Sequence, residues 1–278
     1  MSGFPREAYL AKINLTSAPP VTAEGLISLH RAQAMAIPFE NIDPFLHQTV
    51  SLDALALEEK LLRRNRGGYC FELNGLFLAA LNDFGFNARP LLARVLLGNA
   101  SPGPCTHQLS LVFVEGEYWI ADVGFGGPGL RDPLRLRAGA LRDGPREIRL
   151  REDAELGWVL EQRIGEEWGG IYAFSLDEAR EMDREMGNFF SSQWPQSLFR
   201  RKLMAARFTP EGRVTLDDKF AKKYRADGAA EERTLSDPAL LRFTLADWFK
   251  LEISPATARE IFERLNPPPL DRAKPLDF

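Results

Sequence analysis

Two adjacent glycines, Gly67 and Gly68, stand immediately ahead of the clearest helical pattern in the chain. Leu73, Leu76, Phe77, Ala80, Leu81 and Phe84 recur at the three- and four-residue intervals that put apolar side chains on one helix face, and Gly85 suits the position just past the end. A Gly-Gly pair permits a tight turn that a side chain would block. Cys70 therefore falls at or next to a helix N-terminus. The positive end of the helix dipole and free N–H groups stabilise a thiolate there, and the same N–H groups can receive the oxyanion of a thioester carbonyl. A lone cysteine is more often an inert core residue. The turn feeding the helix weighs against that.

Around this segment the pattern changes twice. Before it, Glu7 to Leu15, Thr22 to Ala36 and Leu55 to Leu62 carry helical spacing. After it, Leu91 to Leu97, Gln108 to Val114, Tyr118 to Val123, Glu147 to Arg151, Trp158 to Ile164 and Trp168 to Phe174 are short, β-prone and punctuated by Gly or Pro. That spacing predicts a barrel or a curled antiparallel sheet. A short charged helix, Asp177 to Met186, follows. Lys202 to Thr209 and Arg213 to Leu216 flank Pro210-Glu211-Gly212 as a hairpin, with more strand over Lys219 to Tyr224. Helices Pro238 to Phe249 and Pro255 to Leu265 precede a Pro-rich tail. There is no internal period, and the order of helices, sheet and smaller mixed unit predicts an α+β, multi-part fold.

A catalytic thiolate needs an imidazole, and the chain has only three histidines. His30 lies in a helical stretch and His47 in a loop; neither has an evident polar partner nearby, so both read as structural or surface residues. His107 opens an alternating strand with Leu109, Leu111 and Phe113 on its face. Glu115-Gly116 fits a two-residue hairpin turn, which pairs Val114 with Glu117 and Leu109 with Asp122. His107 and Asp122 are then diagonal neighbours on one face, roughly 7–8 Å apart at the backbone. A one-residue change of loop length would turn Asp122 away. Cys70 as nucleophile, His107 as base or ion-pair partner and Asp122 as its orienting carboxylate form a triad. Each alone has an ordinary structural reading; together they favour chemistry.

The two cysteines, the absence of an apolar signal segment or bilayer-length run, and a net charge of -4 set the surroundings. They predict a reducing cytosolic compartment with both thiols free, no membrane association and no general nucleic-acid role. Cys105, two residues before His107, is a second thiol that oxidation could link to Cys70 or modify.

These residues also resemble a known family. Arg66-Gly67-Gly68-Tyr69-Cys70-Phe71-Glu72-Leu73-Asn74 matches the RGGxCxExN signature of arylamine N-acetyltransferases. The segments His107 to Val112, Asp122 to Gly126 and the earlier Pro38-Phe39-Glu40-Asn41 match in the same order, and later stretches extend the resemblance over nearly the whole chain. The resemblance implies an N-terminal helical bundle over 1–86, a central antiparallel β-barrel over 87–192 and an interdomain segment with an α/β lid over 193–278, around a cysteine-protease-like Cys-His-Asp core. It implies ping-pong transfer of acetyl from acetyl-CoA, through Cys70, to an arylamine, arylhydrazine or N-arylhydroxylamine, with no permanently bound cofactor and no metal. By the same resemblance Phe39, Phe125 and Phe199 would line the acceptor pocket, Gly103, Thr106 and Gly126 would approach the CoA, and Arg66 and Glu40 would form a structural ion pair. Ordinary core packing is the plainer reading of the aromatics. Where the family often has Ser-Pro-Phe, this chain has Ser197-Leu198-Phe199, which bears on acceptor choice. A papain-like hydrolase is disfavoured because the Cys-Gly-Ser-Cys-Trp segment is absent. An amide synthase of the same fold and a non-catalytic small-molecule binder are the remaining rivals, and the complete triad argues against the second.

Overall fold

The computed structural model describes residues 3–97, 101–144, 146–225 and 229–266. The Pro-rich tail beyond Asn266, and residues 98–100 of the loop ahead of His107, lie outside them. Helices α1 (Arg6–Lys12), α2 (Ala23–Ala36) and α4 (Ala54–Leu57, widening into a π-type turn over Glu58–Arg63) pack around α5 (Cys70–Asp83). Thr22 starts α2 by accepting the Gly25 N–H at 3.1 Å, a cap that contributes about 1 kcal/mol. The apolar stripe of α5 is buried with Leu26, Leu29 and Leu61 in one core. The short helix α3 (Ile42–Phe45) stands apart from that core.

Strands β2 (Asn87–Val95), β3 (Cys105–Val114), β4 (Glu117–Ala121), β5 (Leu134–Arg135), β6 (Gly139–Asp143), β7 (Arg146–Asp153), β8 (Gly157–Ile164) and β9 (Glu167–Phe174) form one antiparallel sheet ordered β5-β4-β3-β2-β9-β8-β7-β6. Its edges, β5 and β6, are not paired to each other among the described residues. The sheet is thus curled and open, the second of the two forms the strand spacing predicts and short of the β-barrel the resemblance implied. Leu109 and Leu111 of β3 face the core inside the curl, while Val112 and Val114 face the helices. Being buried on both faces holds β3 in a single register.

Two further corrections follow. The charged helix expected over Asp177 to Met186 is α6, Glu181–Gln193, preceded by four non-helical residues. The segment before Gly67, read as helical, also contains β1 (Phe39–Glu40). β1 is the edge of the second sheet, β1-β10-β11-β12-β13, built with β10 (Met204–Thr209), β11 (Gly212–Asp217), β12 (Phe220–Arg225) and β13 (Ala230–Thr234). Two residues are too few to show a period in sequence; only pairing with Ala205 and Ala206 makes them a strand. A third core joins β10 to β12 with α7 (Pro238–Thr244) and α8 (Pro255–Leu265), and it includes Ile42 and Phe45 from α3.

Candidate active site

Cys70 is the first residue of α5 and 3% exposed. The preceding turn works as the glycines predict. A Cβ on Gly67 would lie 2.1 Å from the Pro38 carbonyl oxygen, so any side chain there forces the loop apart. Glu72, two residues on, accepts the Tyr69 N–H at 3.0 Å and closes the helix start. The Cys70 Sγ–H points to the Thr106 carbonyl oxygen at 3.6 Å, which sets the thiol against the start of β3.

The hairpin has the predicted register. Glu115 and Gly116 both take positive φ, the mirror-image turn that suits a two-residue loop, and Val114 pairs with Glu117. The ladder ends at Ser110 and Ala121, and Asp122 follows directly. His107 Nε2 meets Asp122 Oδ2 at 2.7 Å with both residues buried. The Cys70 sulfur also acts on His107 and favours its charged form. Burial opposes charging this imidazole, but the Asp122 carboxylate and the Cys70 sulfur outweigh it and push its pKa up to about 10. Burial likewise opposes the charge on Asp122, and His107, Asn74 and the Gly124 N–H together hold its pKa below the usual carboxylate range.

Asn74, one turn beyond Cys70 on α5, is a site residue that sequence reasoning quoted in a motif without giving it work. Its Nδ2 donates to Asp122 Oδ1 at 2.9 Å and to the Gln108 carbonyl at 2.6 Å, and its Oδ1 accepts the Val123 N–H at 3.0 Å. One side chain thus ties the helix bearing the thiol to the strand bearing His107 and to the carboxylate. Gly124 must be small for the same reason: a Cβ there would lie 2.7 Å from Asn74 Nδ2 and 3.0 Å from the Cys70 Cα. The four-residue spacing from Cys70 was the available signal, because it puts both residues on one helix face.

The aromatic residues form two ring groups, one around His107 and one around Phe199. Phe125 and Tyr172 flank the His107 ring, with centroids at 4.9 and 5.1 Å. Phe39 stands edge-on to Phe199 at 6.0 Å, and Phe199 to Tyr69 at 5.3 Å. Gly126 has φ +83° and backs onto the Phe39 ring. Thr106 lies at the thiol through its carbonyl, whereas Gly103 is engaged elsewhere, accepting from Arg94 Nη1 at 2.7 Å. The Arg66–Glu40 ion pair forms at 2.7 Å, below the turn. His47 is an exposed partner of Arg264. His30 is not at the surface: it is fully buried and touches the Asp122 main chain.

Comparison with known proteins gives the family. The sequence profile of the N-acetyltransferase family matches residues 22–258. The arylamine N-acetyltransferase / N-hydroxyarylamine O-acetyltransferase of Salmonella typhimurium is 45% identical over 250 residues, covering 89% of each chain. The arylamine N-acetyltransferase of Escherichia coli is 42% identical, again covering 89% of each. The solved Salmonella typhimurium structure superposes with a TM-score of 0.88 at 42% identity, over 95% of this chain and 98% of that one. The Mycobacterium marinum arylamine N-acetyltransferase, solved in complex with CoA, gives 0.86 at 33% identity over 94% and 99%. An acyltransferase with its thiol, imidazole and carboxylate gathered at the start of one helix, this chain belongs to the arylamine N-acetyltransferase family.

Proposed function

We propose that the protein moves acetyl from acetyl-CoA to arylamines, arylhydrazines or N-arylhydroxylamines by a ping-pong route through an acetyl-cysteine on Cys70. The observation that carries this is the 2.7 Å bond between buried His107 and Asp122, which favours an imidazolium at neutral pH, with the Cys70 sulfur acting in the same direction. In the first half-reaction the Cys70 sulfur, as thiolate, attacks the thioester carbonyl. The N–H groups of the first turn of α5 receive the developing oxyanion. The C–S bond to CoA breaks and the CoA thiolate takes the proton from His107. One thioester replaces another, so the exchange costs little.

In the second half-reaction the acceptor nitrogen attacks the acetyl carbonyl and gives its proton to His107. The Cys70–acetyl bond breaks and the thiolate returns to its imidazolium. Asp122 keeps the imidazole in place through both proton transfers. Phe39, Phe125 and Phe199 line the acceptor side, and Thr106 and Gly126, with Gly103 further out, border the approach of CoA. The names of the relatives, one of them solved with CoA, support acetyl-CoA as cosubstrate and aromatic amines as acceptors. A cytoplasmic role in handling aromatic xenobiotics follows from the free thiols and the acceptor class. No helix among the described residues is long and apolar enough to cross a membrane.

The direct test is mass spectrometry after incubation with acetyl-CoA alone. One acetyl group is expected on the peptide containing Cys70, absent in Cys70→Ala and discharged by an aromatic amine. A folded sample with a free thiol and no adduct would overturn acetyl transfer from CoA.

A further inference from the structure

His30 performs no step in the mechanism above, yet it is the fully buried partner of the residue that follows the end of β4. Its Nε2 accepts the Asp122 main-chain N–H at 3.1 Å, and its Nδ1 lies 3.2 Å from the Arg131 carbonyl oxygen. A main-chain N–H can only donate and a carbonyl can only accept, so the two contacts together fix the tautomer: Nδ1 carries the proton and Nε2 is bare. A charged His30 would turn an N–H toward an N–H. Burial favours the neutral ring, Asp122 and Asp132 are the charges that act on it from the facing segment, and Phe77 packs edge-on at 5.6 Å from α5.

The contact matters because β-pairing no longer holds the chain at Asp122. The last ladder pair is Ser110 with Ala121, so the Asp122 N–H has His30 in place of a strand partner. The same face of α2 carries Gln33, three residues on, whose Nε2 donates to the Leu73 carbonyl of α5 at 2.9 Å. Arg31, beside His30, grips Asp132 through two bonds of 2.8 Å. One helix thereby sets the spacing between the element bearing the thiol and the segment bearing the carboxylate.

We propose that His30 is a positioning residue: its bare Nε2 anchors the Asp122 backbone so that the carboxylate stays aligned with His107. This rests on the triad reading above. Gln at position 30 can present an oxygen close to where Nε2 lies, whereas Asn is too short to reach and Leu cannot accept at all.

The experiment is 15N-histidine NMR of the resting protein and its variants from pH 6 to 10.5, with steady-state kinetics alongside. Three histidines make the spectrum assignable. In the parent, His30 is expected to show a protonated Nδ1 and an unprotonated Nε2, and His107 to titrate near 10. In His30→Asn and His30→Leu the His107 midpoint is expected to drop by about one unit, a tenfold loss in proton affinity. Their kcat/KM is expected to fall about 10- to 100-fold, mostly in kcat, from the misplaced carboxylate. His30→Gln is expected to recover most of both. A merely structural histidine would lower Tm in all three variants and leave the His107 titration where it was. A parent His30 protonated on Nε2, or a folded His30→Asn whose His107 titrates as in the parent, would overturn the proposal. Where a variant does not fold, the parent tautomer and the remaining variants decide. A parent His107 titrating near the ordinary imidazole value would instead remove the triad reading, and that is seen without any variant.

Discussion

Two buried polar clusters flank the N-terminus of α5, and they are built from different chemistry. On one side Lys60 meets Asp43 and Glu72, each at 2.6 Å, and Arg66 meets Asp43 at 2.6 Å and Glu40 at 2.7 Å. Burial disfavours charge on Lys60, but Glu72, Glu40 and Asp43 reverse that and keep its pKa above the ordinary value. On the other side the Asp122 carboxylate meets the His107 ring and accepts from Asn74 and the Gly124 N–H, while the Asp122 N–H donates to His30. Permanent cations hold the first cluster; burial still raises the Glu72 carboxyl to about 7, but its bonds go to Lys60 and the Tyr69 N–H, so it serves the helix start and not the sulfur. In the second, the positive charge among the described residues is the His107 imidazolium, which the proposed mechanism has give up its proton as the thiolate is consumed. The same helix start is held rigid from one side and supplied with a mobile proton from the other.

Breaking the second cluster should therefore cost turnover, and breaking the first should cost stability. Asp122→Asn keeps the shape but cannot hold the imidazolium, and acetyl transfer is expected to fall on the order of 10³- to 10⁴-fold with Tm changed far less. Lys60→Met leaves buried Glu72 without its cation, Asp43 keeping Arg66, and is expected to destabilise the fold by about 3–5 kcal/mol in denaturant melts, with kcat of the folded fraction within about twofold. If that variant lost turnover without losing stability, the contrast between the clusters would collapse. Asn74→Ala spans both effects. It leaves buried Asp122 Oδ1 and the Val123 N–H short of partners, about 2 kcal/mol of stability and a 10- to 100-fold loss in kcat/KM.

The smallest effect is on pH dependence, and its sign separates the two residues of the pair. The pKa of His107 is raised, so its contribution is fully present below the ordinary imidazole value of about 6.5 and is lost as pH climbs through about 10. The pKa of Asp122 is lowered, so its share is present above about 4 and is lost only as acid takes the pH through its depressed value. Tm of the parent is expected to decline between pH 7 and 10.5, and Asp122→Asn to decline less over that range. Equal slopes would mean the imidazole is not held charged by this carboxylate.

The parts of the site legible in sequence were those set by local geometry. Glu115-Gly116 fixed a turn length, and the turn length fixed which face Asp122 takes. Gly67-Gly68 ahead of a periodic run placed Cys70. The rest depended on contacts between distant segments. Nothing local distinguishes His30 from any other buried histidine on a helix; its partners lie 92 and 101 residues away. The start of α6 was misread because alternating charges from Asp177 onward suit a solvated helix at any register. Its start is marked by Asp183 accepting the Arg180 N–H at 2.9 Å, and further along Asn188 holds it by donating to the Val50 carbonyl at 3.1 Å. The barrel expectation failed at closure, which rests on whether two short edge strands find each other.

The two-residue strand β1 has a consequence for how the molecule comes into being. Phe39 and Glu40 pair with Ala206 and Ala205, and the same segment exchanges backbone bonds with Gly68 in the turn ahead of Cys70, Glu40 N–H to Gly68 O at 2.9 Å and Gly68 N–H to Pro38 O at 3.3 Å. The loop that aims the nucleophile therefore leans on a ribbon synthesised long after it. Contacts of such sequence separation form late, once loop closure has been achieved. A chain emerging from the ribosome carries its cysteine well before it carries the support that points it, so the thiol is aimed only after that later ribbon has emerged.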